Sequence, residues 1–193
     1  RQRLMCIRDR GNPVMDAALS GGKKVVNEYI DKSVDLGIDI IEISSIARSI
    51  DDIEMCHLIE RISSKGIRVL NEIGVAFAHS EIDDNAIFIN RLIKQSTKYL
   101  KAGCWKIVIE SEGLTENLDK IDYRWSVIDS IISPLELSQF IVEADNQDIL
   151  SKYIEIYGPK INMMIDHNRL LKMEAARLGF GPSQFLWGKV VRY

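Results

Sequence analysis

The fold is decided by residues 49–73, SIDDIEMCHLIERISSKGIRVLNEI, in which a helical pattern gives way directly to a strand pattern. The helix is predicted to begin at Ser49 as its N-cap and to end at Gly66. The segment IRVLNEI (67–73) that follows is short, and its Asn71-Glu72 pair comes directly after a short apolar run that is typical of a buried strand. A helix that leads straight into a buried strand indicates a parallel sheet with crossover helices.

The same alternation extends through the chain on both sides of this stretch. Four more strands are predicted at 38–44, 106–110, 139–144 and 161–167. Further helices are predicted at 22–36, 83–103, 123–137, 146–158 and 168–179, the third of them broken near Pro134. The apolar spacing in the helix 83–103 predicts a buried face made of Ile89, Leu92, Ile93, Ser96 and Leu100.

Five strand–helix units joined by short connections require a parallel sheet with right-handed crossovers, and no pattern indicates a hairpin or a linker. From the residues alone, this sheet could be doubly wound or closed into a (β/α) barrel. No GxGxxG follows the first strand, which weakens the dinucleotide-binding alternative.

The first ten residues, RQRLMCIRDR, fit no periodic pattern and carry four Arg against one Asp. The stretch MCIRDR can be encoded by the transposase end of a common sequencing adaptor, and RQR matches the stretch upstream of it. We therefore interpret residues 1–10 as an assembly scar outside the fold, the alternative being a genuine basic N-terminal arm. Residues 11–193 are expected to form a single domain.

Composition excludes several classes of function. Without residues 1–10 the chain has 21 basic and 27 acidic residues, which argues against a nucleic-acid partner because phosphate binding needs a basic face. The longest apolar runs fall far short of the roughly 20 residues that a membrane helix needs. Cys56 and Cys104 have no metal-like spacing, which favours a reducing cytoplasm over a disulfide scaffold.

Each predicted strand carries a carboxylate at or near its carboxyl end. These residues are Glu42, Glu72, Glu110, Glu143 and Asp166, and His167 follows the last of them. In a (β/α) barrel the carboxyl ends of the strands meet at one mouth, where active sites are built. Carboxylates there would suit Mg²⁺, which prefers oxygen ligands and usually shares them with a substrate phosphate. The simpler alternative is that individual carboxylates cap helices or pair with Lys across the rim.

Two further residues are weaker candidates for the same mouth. His79 lies in the loop AFAHSEIDD after a predicted strand, so it could reach the site. Arg177 ends the last helix before LGFGP, in a region where barrels often hold phosphate on glycine-bearing backbone. Both are also common as structural residues.

At this point the chain resembles the phosphosulfolactate synthase family, which includes plant heat-stress-associated relatives. The resemblance rests on LGIDIIEIS, VLNEIG, YLKAGCWKIVIES, FIVEA and a closing WGKV, in the same order as in the family. The most specific block is YGPKINMMIDHNRLLKMEAARLG (157–179). The resemblance covers residues 12–191 and implies a (β/α)8 TIM barrel of which about five βα units, strands 4–8, are present, the first three strands being missing.

The resemblance also implies a chemistry, the Mg²⁺-dependent addition of sulfite to phosphoenolpyruvate. We expect an acid to protonate the methylene carbon and sulfite to attack the carbon that bears the phosphate. Carried over by position, the catalytic residues are Glu72, Glu110 and His167, and the metal ligands are Glu72, Glu110 and Glu143. The expected substrate-binding residues are Glu42, Glu143, Asp166 and Arg177. A homo-oligomer is expected, because strands 38–44 and 161–167 would otherwise be unpaired apolar edges.

Two departures from the family pattern remove positive charge from a site meant for two anions. Family members typically carry Lys, a candidate general acid, where this chain has Val75 after Glu-Ile-Gly. They also carry Gly-Arg-Glu-Ser where this chain has Ser111-Glu112-Gly113. The sequence therefore leaves two hypotheses, an enzyme on a small phosphorylated acid and a non-catalytic barrel acting in interaction or stress protection.

Overall fold

The computed structural model describes residues 13–44, 50–74, 86–181 and 183–189, with the side chains of 13–20 left aside. The helices are α1 (Pro13–Asp35), α2 (Asp52–Ser64), α3 (Ala86–Lys101), α4 (Trp125–Ile132), α5 (Gln147–Tyr157) and α6 (Leu170–Arg177). The strands are β1 (Ile40–Ser44), β2 (Arg68–Ile73), β3 (Lys106–Ile109), β4 (Phe140–Glu143) and β5 (Met163–Met164). Within these ranges, no helix is both long and apolar enough to cross a membrane.

The strands form one five-stranded sheet in the order β1–β2–β3–β4–β5, and the β1–β2 and β4–β5 pairs are parallel. This confirms the α/β class and the five predicted strand–helix units. By its internal contacts the chain divides into two compact units, Arg1–Ile73 with Ala86–Val108, and Gly74–Asn85 with Ile109–Tyr193. That residues 11–193 form a single domain stays a prediction, and residues 1–10 lie outside the described part of the chain.

In the first unit, α2 begins two residues later than predicted. Its N-cap is Asp51, whose Oδ1 accepts hydrogen bonds from the amides of Ile53 and Glu54, each at 2.9 Å. The prediction of Ser49 as the N-cap was therefore wrong. The predicted end is confirmed, since the helix stops at Ser64 and Gly66 follows at φ 81°, a conformation that favours glycine.

The buried face of α3 is also rotated from the predicted one. Its buried residues are Phe88, Leu92, Ser96 and Tyr99. Tyr99 turns inward because α3 is tied to α2 through Asp52, whose Oδ1 accepts from the Tyr99 hydroxyl at 3.1 Å and whose Oδ2 accepts from Lys98 Nζ at 2.8 Å. Leu92 and Ser96 were predicted correctly, whereas Ile89, Ile93 and Leu100 are only partly buried.

In the second unit, α4 ends at Ile132, which confirms the predicted break before Pro134. Strand β5 is only two residues long, much shorter than the predicted 161–167. On its amino side, the side-chain amide of Asn162 donates to the Phe140 carbonyl at 3.0 Å. On its carboxyl side, Asp166 already caps a 3-10 turn by accepting from the Asn168 amide, so the extended segment stops early.

Candidate functional site

In the first unit, Glu42 and Glu72 lie on one face of the β1–β2 pair. Glu42 is the third residue of β1 and pairs with Leu70, and Ser44 at the end of β1 pairs with Glu72. Residues two apart along a strand share a face, so these pairings align the two carboxylates. Glu72 is next to the end of its strand, as predicted, whereas Glu42 lies inside its strand.

In the second unit, Glu110 follows β3 directly and packs against Gly74. Glu110 Oε2 is buried and has no hydrogen-bond partner among the described residues. A Cβ at position 74 would clash with this oxygen and would lie 2.9 Å from Glu110 Cβ. Gly74 is therefore needed for the close approach of the Glu110 carboxyl group, and any larger residue would displace it.

Glu143, the last residue of β4, is held by Ser111. Glu143 Oε2 accepts from the Ser111 amide at 3.0 Å and lies 3.3 Å from its hydroxyl. The same hydroxyl lies 2.7 Å from Glu116 Oε2. Because a hydroxyl has one proton to donate, the shorter contact takes it, and the amide is the main donor to Glu143. The Ser111 carbonyl accepts from three amides, at positions 114, 115 and 116, each at 2.9 Å, which fixes this loop.

The negative charges of Glu110 and Glu143 are not balanced by positive charges close to them among the described residues. Burial raises the pKa of Glu110 to about 7, with further contributions from repulsion by Glu143, Glu112 and Glu116. Burial also raises the pKa of Glu143, although the hydrogen bonds from Ser111 oppose the shift. A bound proton or cation would relieve this repulsion.

The Glu110→Gln variant should therefore be more stable than the parent at high pH only. Since the pKa of Glu110 in the folded state is above the ordinary value of 4.5, the stability contributed by protonated Glu110 is complete below about pH 4.5 and is lost as pH rises through about 7. We expect the variant to gain up to about 3 kcal/mol at pH 8, less where solvent screens the charge, and almost nothing at pH 4.5.

Urea denaturation at both pH values measures this difference. The control is Glu60→Gln, which alters an exposed carboxylate of α2. The control should change stability equally little at both pH values. An effect of Glu110→Gln that is the same at pH 4.5 and pH 8 would contradict the pKa of about 7 for Glu110.

A second group of polar residues follows β4 and β5. Burial raises the pKa of Asp145, and its Oδ1 is buried without a partner among the described residues. The guanidinium of Arg169 donates to the Asp145 carbonyl through Nη1. Asp166 Oδ1 lies 3.1 Å from His167 Nδ1, with the two side chains 47% and 87% exposed. His167 is therefore open to solvent.

Arg177 does not lie at this end of the strands. Its Nη2 donates to the Ile161 carbonyl at 2.8 Å, and its Nη1 lies 3.3 Å from Glu174 Oε1. Ile161 precedes β5, so this contact is at the amino end of the strand, opposite Asp166. The expectation that Arg177 binds substrate at the mouth is wrong in this structure because α6 runs back along β5 and carries its last residue to the other end.

The described residues contain no group of three or more His, Cys, Asp or Glu side chains arranged to hold a metal ion. Mg²⁺ usually needs only one or two protein carboxylates, because water and substrate phosphate complete its coordination. Glu110, with an orphaned buried oxygen and a repelling neighbour in Glu143, fits such a site. Glu72 lies in the other unit, and its part in metal binding stays a prediction.

The residue pattern did not indicate Ser111 as a donor to Glu143 or Arg169 as a donor to the Asp145 carbonyl. Ser111 acts through its backbone amide, which no residue pattern reveals, and Arg169 lies two residues after the His167 that was predicted. Val75 and His79 lie outside the described residues.

The chain is similar in sequence to three curated proteins. The chain is similar to Phosphosulfolactate synthase of Methanocaldococcus jannaschii, 25% identical over 93% of this chain and 71% of that protein. It is 26% identical to Phosphosulfolactate synthase of Methanothermobacter thermautotrophicus over 80% of this chain and 60% of that protein. Protein HEAT-STRESS-ASSOCIATED 32 of Arabidopsis thaliana is 23% identical over 82% of this chain and 61% of that protein. The chain thus spans about six to seven tenths of the length of these curated relatives.

A crystal structure of D-psicose 3-epimerase with D-tagatose from Clostridium cellulolyticum H10 shares the fold, with a TM-score of 0.53 and 16% identity over 81% of this chain and 60% of that one. The family described as (2R)-phospho-3-sulfolactate synthase (ComA) matches residues 10–181, a range that contains all five strands and both Glu110 and Glu143. The chain therefore belongs to the (2R)-phospho-3-sulfolactate synthase family.

Proposed function

We propose that this protein is a phosphosulfolactate synthase-like lyase that adds sulfite to phosphoenolpyruvate, or carries out a related reaction on a small phosphorylated acid, with Mg²⁺ as cofactor. The observation that carries the proposal is the half-buried pair of Glu110 and Glu143, whose repulsion a divalent cation would offset. Two family relatives bear the name Phosphosulfolactate synthase, which supports the same chemistry.

For the fold around this site, we propose a (β/α)8 barrel whose strand ends line the mouth. The parallel sheet in chain order and the likeness to the epimerase structure support this arrangement. That strands 4–8 are the ones present, and that Glu42 and Glu72 face the same mouth as Glu110, both stay predictions.

The family description corrects the expected site of attack. In (2R)-phospho-3-sulfolactate the sulfo group is on carbon 3 and the phosphate is on carbon 2. Sulfite must therefore add to the methylene carbon of phosphoenolpyruvate, forming the carbon–sulfur bond as the double bond opens. The proton is added to carbon 2, which bears the phosphate. This is the reverse of the expectation from the sequence.

The residues of the chain have separate roles in this reaction. Glu110 and Glu143 would hold Mg²⁺, which when bound would polarise the substrate carboxylate and so favour attack at carbon 3. Ser111 fixes the orientation of the Glu143 carboxylate through its amide. His167, oriented by Asp166 and open to solvent, is the described side chain that we propose to carry the proton.

A non-catalytic role in interaction or stress protection is the second candidate. The observation that favours it is the acidic loop after β3, where Glu112 and Glu116 stand near Glu110 and would repel sulfite and phosphate. The plant relative named HEAT-STRESS-ASSOCIATED 32 also makes a role in heat stress worth testing.

Incubation of the protein with phosphoenolpyruvate, sulfite and MgCl₂ separates the two candidates. We expect a sulfite-dependent product whose mass equals phosphoenolpyruvate plus bisulfite, and its loss when EDTA is added. Isothermal titration calorimetry with phosphoenolpyruvate provides a readout without turnover. Binding without product would favour a related substrate, and neither binding nor product would favour the non-catalytic role.

A further inference from the structure

Arg169 bridges the carboxyl ends of β4 and β5 in the second unit. It is the last residue of the 3-10 turn His167–Arg169, which follows β5, and it is partly buried. Its Nη1 donates to the carbonyl of Asp145, two residues beyond Glu143 at the end of β4. A flexible side chain is thereby held beside the strand ends that carry the candidate metal ligands.

The guanidinium is anchored through a neutral group, and the nearby Asp145 carboxylate attracts its charge without forming a salt bridge with it. Its contact is with a backbone carbonyl, and within the described part of the chain no salt bridge to a carboxylate involves Arg169. By contrast, Lys120 and Lys152 of the same unit are paired with Asp148 and Glu155. A guanidinium has five N–H donors, and the Asp145 carbonyl takes only one of them.

The negative charges of Glu110 and Glu143 mean that an anionic substrate needs a cation nearby in order to bind. Glu110 and Glu143 can attract a metal, but they repel a substrate that carries both phosphate and carboxylate. The family resemblance places an Arg after the β3 carboxylate, and this chain has Ser111 and Glu112 there instead. Arg169 supplies positive charge from a different loop, the one after β5, and Arg124 donates to the Gly113 carbonyl in the loop after β3 at 3.0 Å.

We propose that Arg169 binds the phosphate group of the substrate at the carboxyl ends of β4 and β5. This inference deepens the proposed function and rests on it for the identity of the substrate, although not for the chemistry of the anion. The planar guanidinium of Arg can donate two parallel hydrogen bonds to a phosphate, which it matches in geometry and charge. The Asp145 carbonyl holds the Arg169 guanidinium in place before the anion binds, so less side-chain entropy is lost on binding.

The competing interpretation is that Arg169 only ties the turn after β5 to the loop after β4. Both interpretations predict a loss of stability for Arg169→Gln, so stability cannot separate them. The affinity of the protein for phosphate and phosphoenolpyruvate does separate them. Arg177→Gln is the matched control, because it removes another guanidinium-to-carbonyl bond at the amino end of β5. Arg169→Lys retains a charge and one donor for Asp145 but lacks the fork.

Binding of inorganic phosphate and of phosphoenolpyruvate is measured by titration calorimetry with MgCl₂ present and sodium chloride added to constant ionic strength. A charge-assisted hydrogen bond is worth about 10- to 100-fold in affinity, so we expect Arg169→Gln to weaken both anions by that factor. Arg169→Lys should weaken them by about 10-fold or less. Arg177→Gln should bind both anions as the parent does. Should Arg169→Gln fail to fold, the comparison of Arg169→Lys with the parent decides.

The outcomes distinguish this inference from the proposed function. If the parent and both Arg169 variants bind phosphoenolpyruvate equally, the inference is overturned and the proposed function stands. If phosphate binds in an Arg169-dependent manner but phosphoenolpyruvate does not, the inference stands and the proposed substrate falls. A parent that binds neither anion overturns both.

Discussion

The Glu143→Gln variant is expected to turn over phosphoenolpyruvate and sulfite about 10²- to 10³-fold more slowly than the parent, with weaker Mg²⁺ binding. A metal that polarises a substrate oxygen contributes several kcal/mol, and each 1.36 kcal/mol is tenfold in rate. The substitution removes the charge but keeps the shape, since a glutamine carbonyl can still accept from the Ser111 amide that binds Glu143 Oε2 at 3.0 Å. Loss of rate should therefore occur without loss of fold.

Two measurements support that distinction. Thermal unfolding should show the variant to be at least as stable as the parent, because burial of the Glu143 carboxyl raises its pKa and its ionisation costs free energy. Mn²⁺ binding followed by electron paramagnetic resonance reports the metal site directly. The control is Glu155→Gln, an exposed residue of α5 paired with Lys152. Unchanged metal affinity and unchanged turnover in Glu143→Gln would remove Glu143 from the metal site.

Much of the fold could be predicted because the spacing of apolar residues along the chain indicates which side chains are buried. Strand β2 was predicted to within one residue, since the short apolar run of Val69 and Leu70 and the Ile residues on either side mark a buried strand. Strand β5 was overestimated because INMMIDH is apolar enough for seven residues, whereas the side chains of Asn162 and Asp166 divert the backbone at both ends. Periodicity does not report such local competition between side chain and backbone.

The buried face of α3 shows a second limit of prediction from apolar spacing. Its apolar spacing allowed a stripe that includes Ile93, yet Tyr99 is buried instead because its hydroxyl reaches Asp52 on α2. An aromatic residue with a polar tip can be placed only when the partner helix is known.

The positions of the strand-end carboxylates could be predicted from side chains, whereas contacts made by the backbone could not, and the roles of the carboxylates stay predictions. Glu110 and Glu143 could be identified because a carboxylate at the end of a buried strand is costly without a use. Ser111 could not, because its contribution is an amide aimed at Glu143. Arg177 was misplaced because the sequence gives the end of a helix but not the end of the strand against which that helix packs.

The last prediction concerns Val75, which stands where the family resemblance implies a Lys that acts as general acid. If nothing replaces that Lys, the parent should be slow by about 10²- to 10⁴-fold, the usual contribution of a positioned general acid. Val75→Lys should then recover part of the rate. Val75→Met is the control, because it changes the shape at the same position without adding charge or a proton.

The measurement is kcat and KM for phosphoenolpyruvate in the parent and both variants, with sulfite and Mg²⁺ in excess. A general acid acts in the transition state, so the gain in Val75→Lys should appear in kcat, whereas a cation that merely attracts the substrate would lower KM. If the parent already turns over at about 10 per second, Val75 is not a disabling change. The proton must then come from another group, such as His79, His167 or a residue N-terminal to this sequence, and a His167→Gln variant with the same profile as the parent would exclude His167.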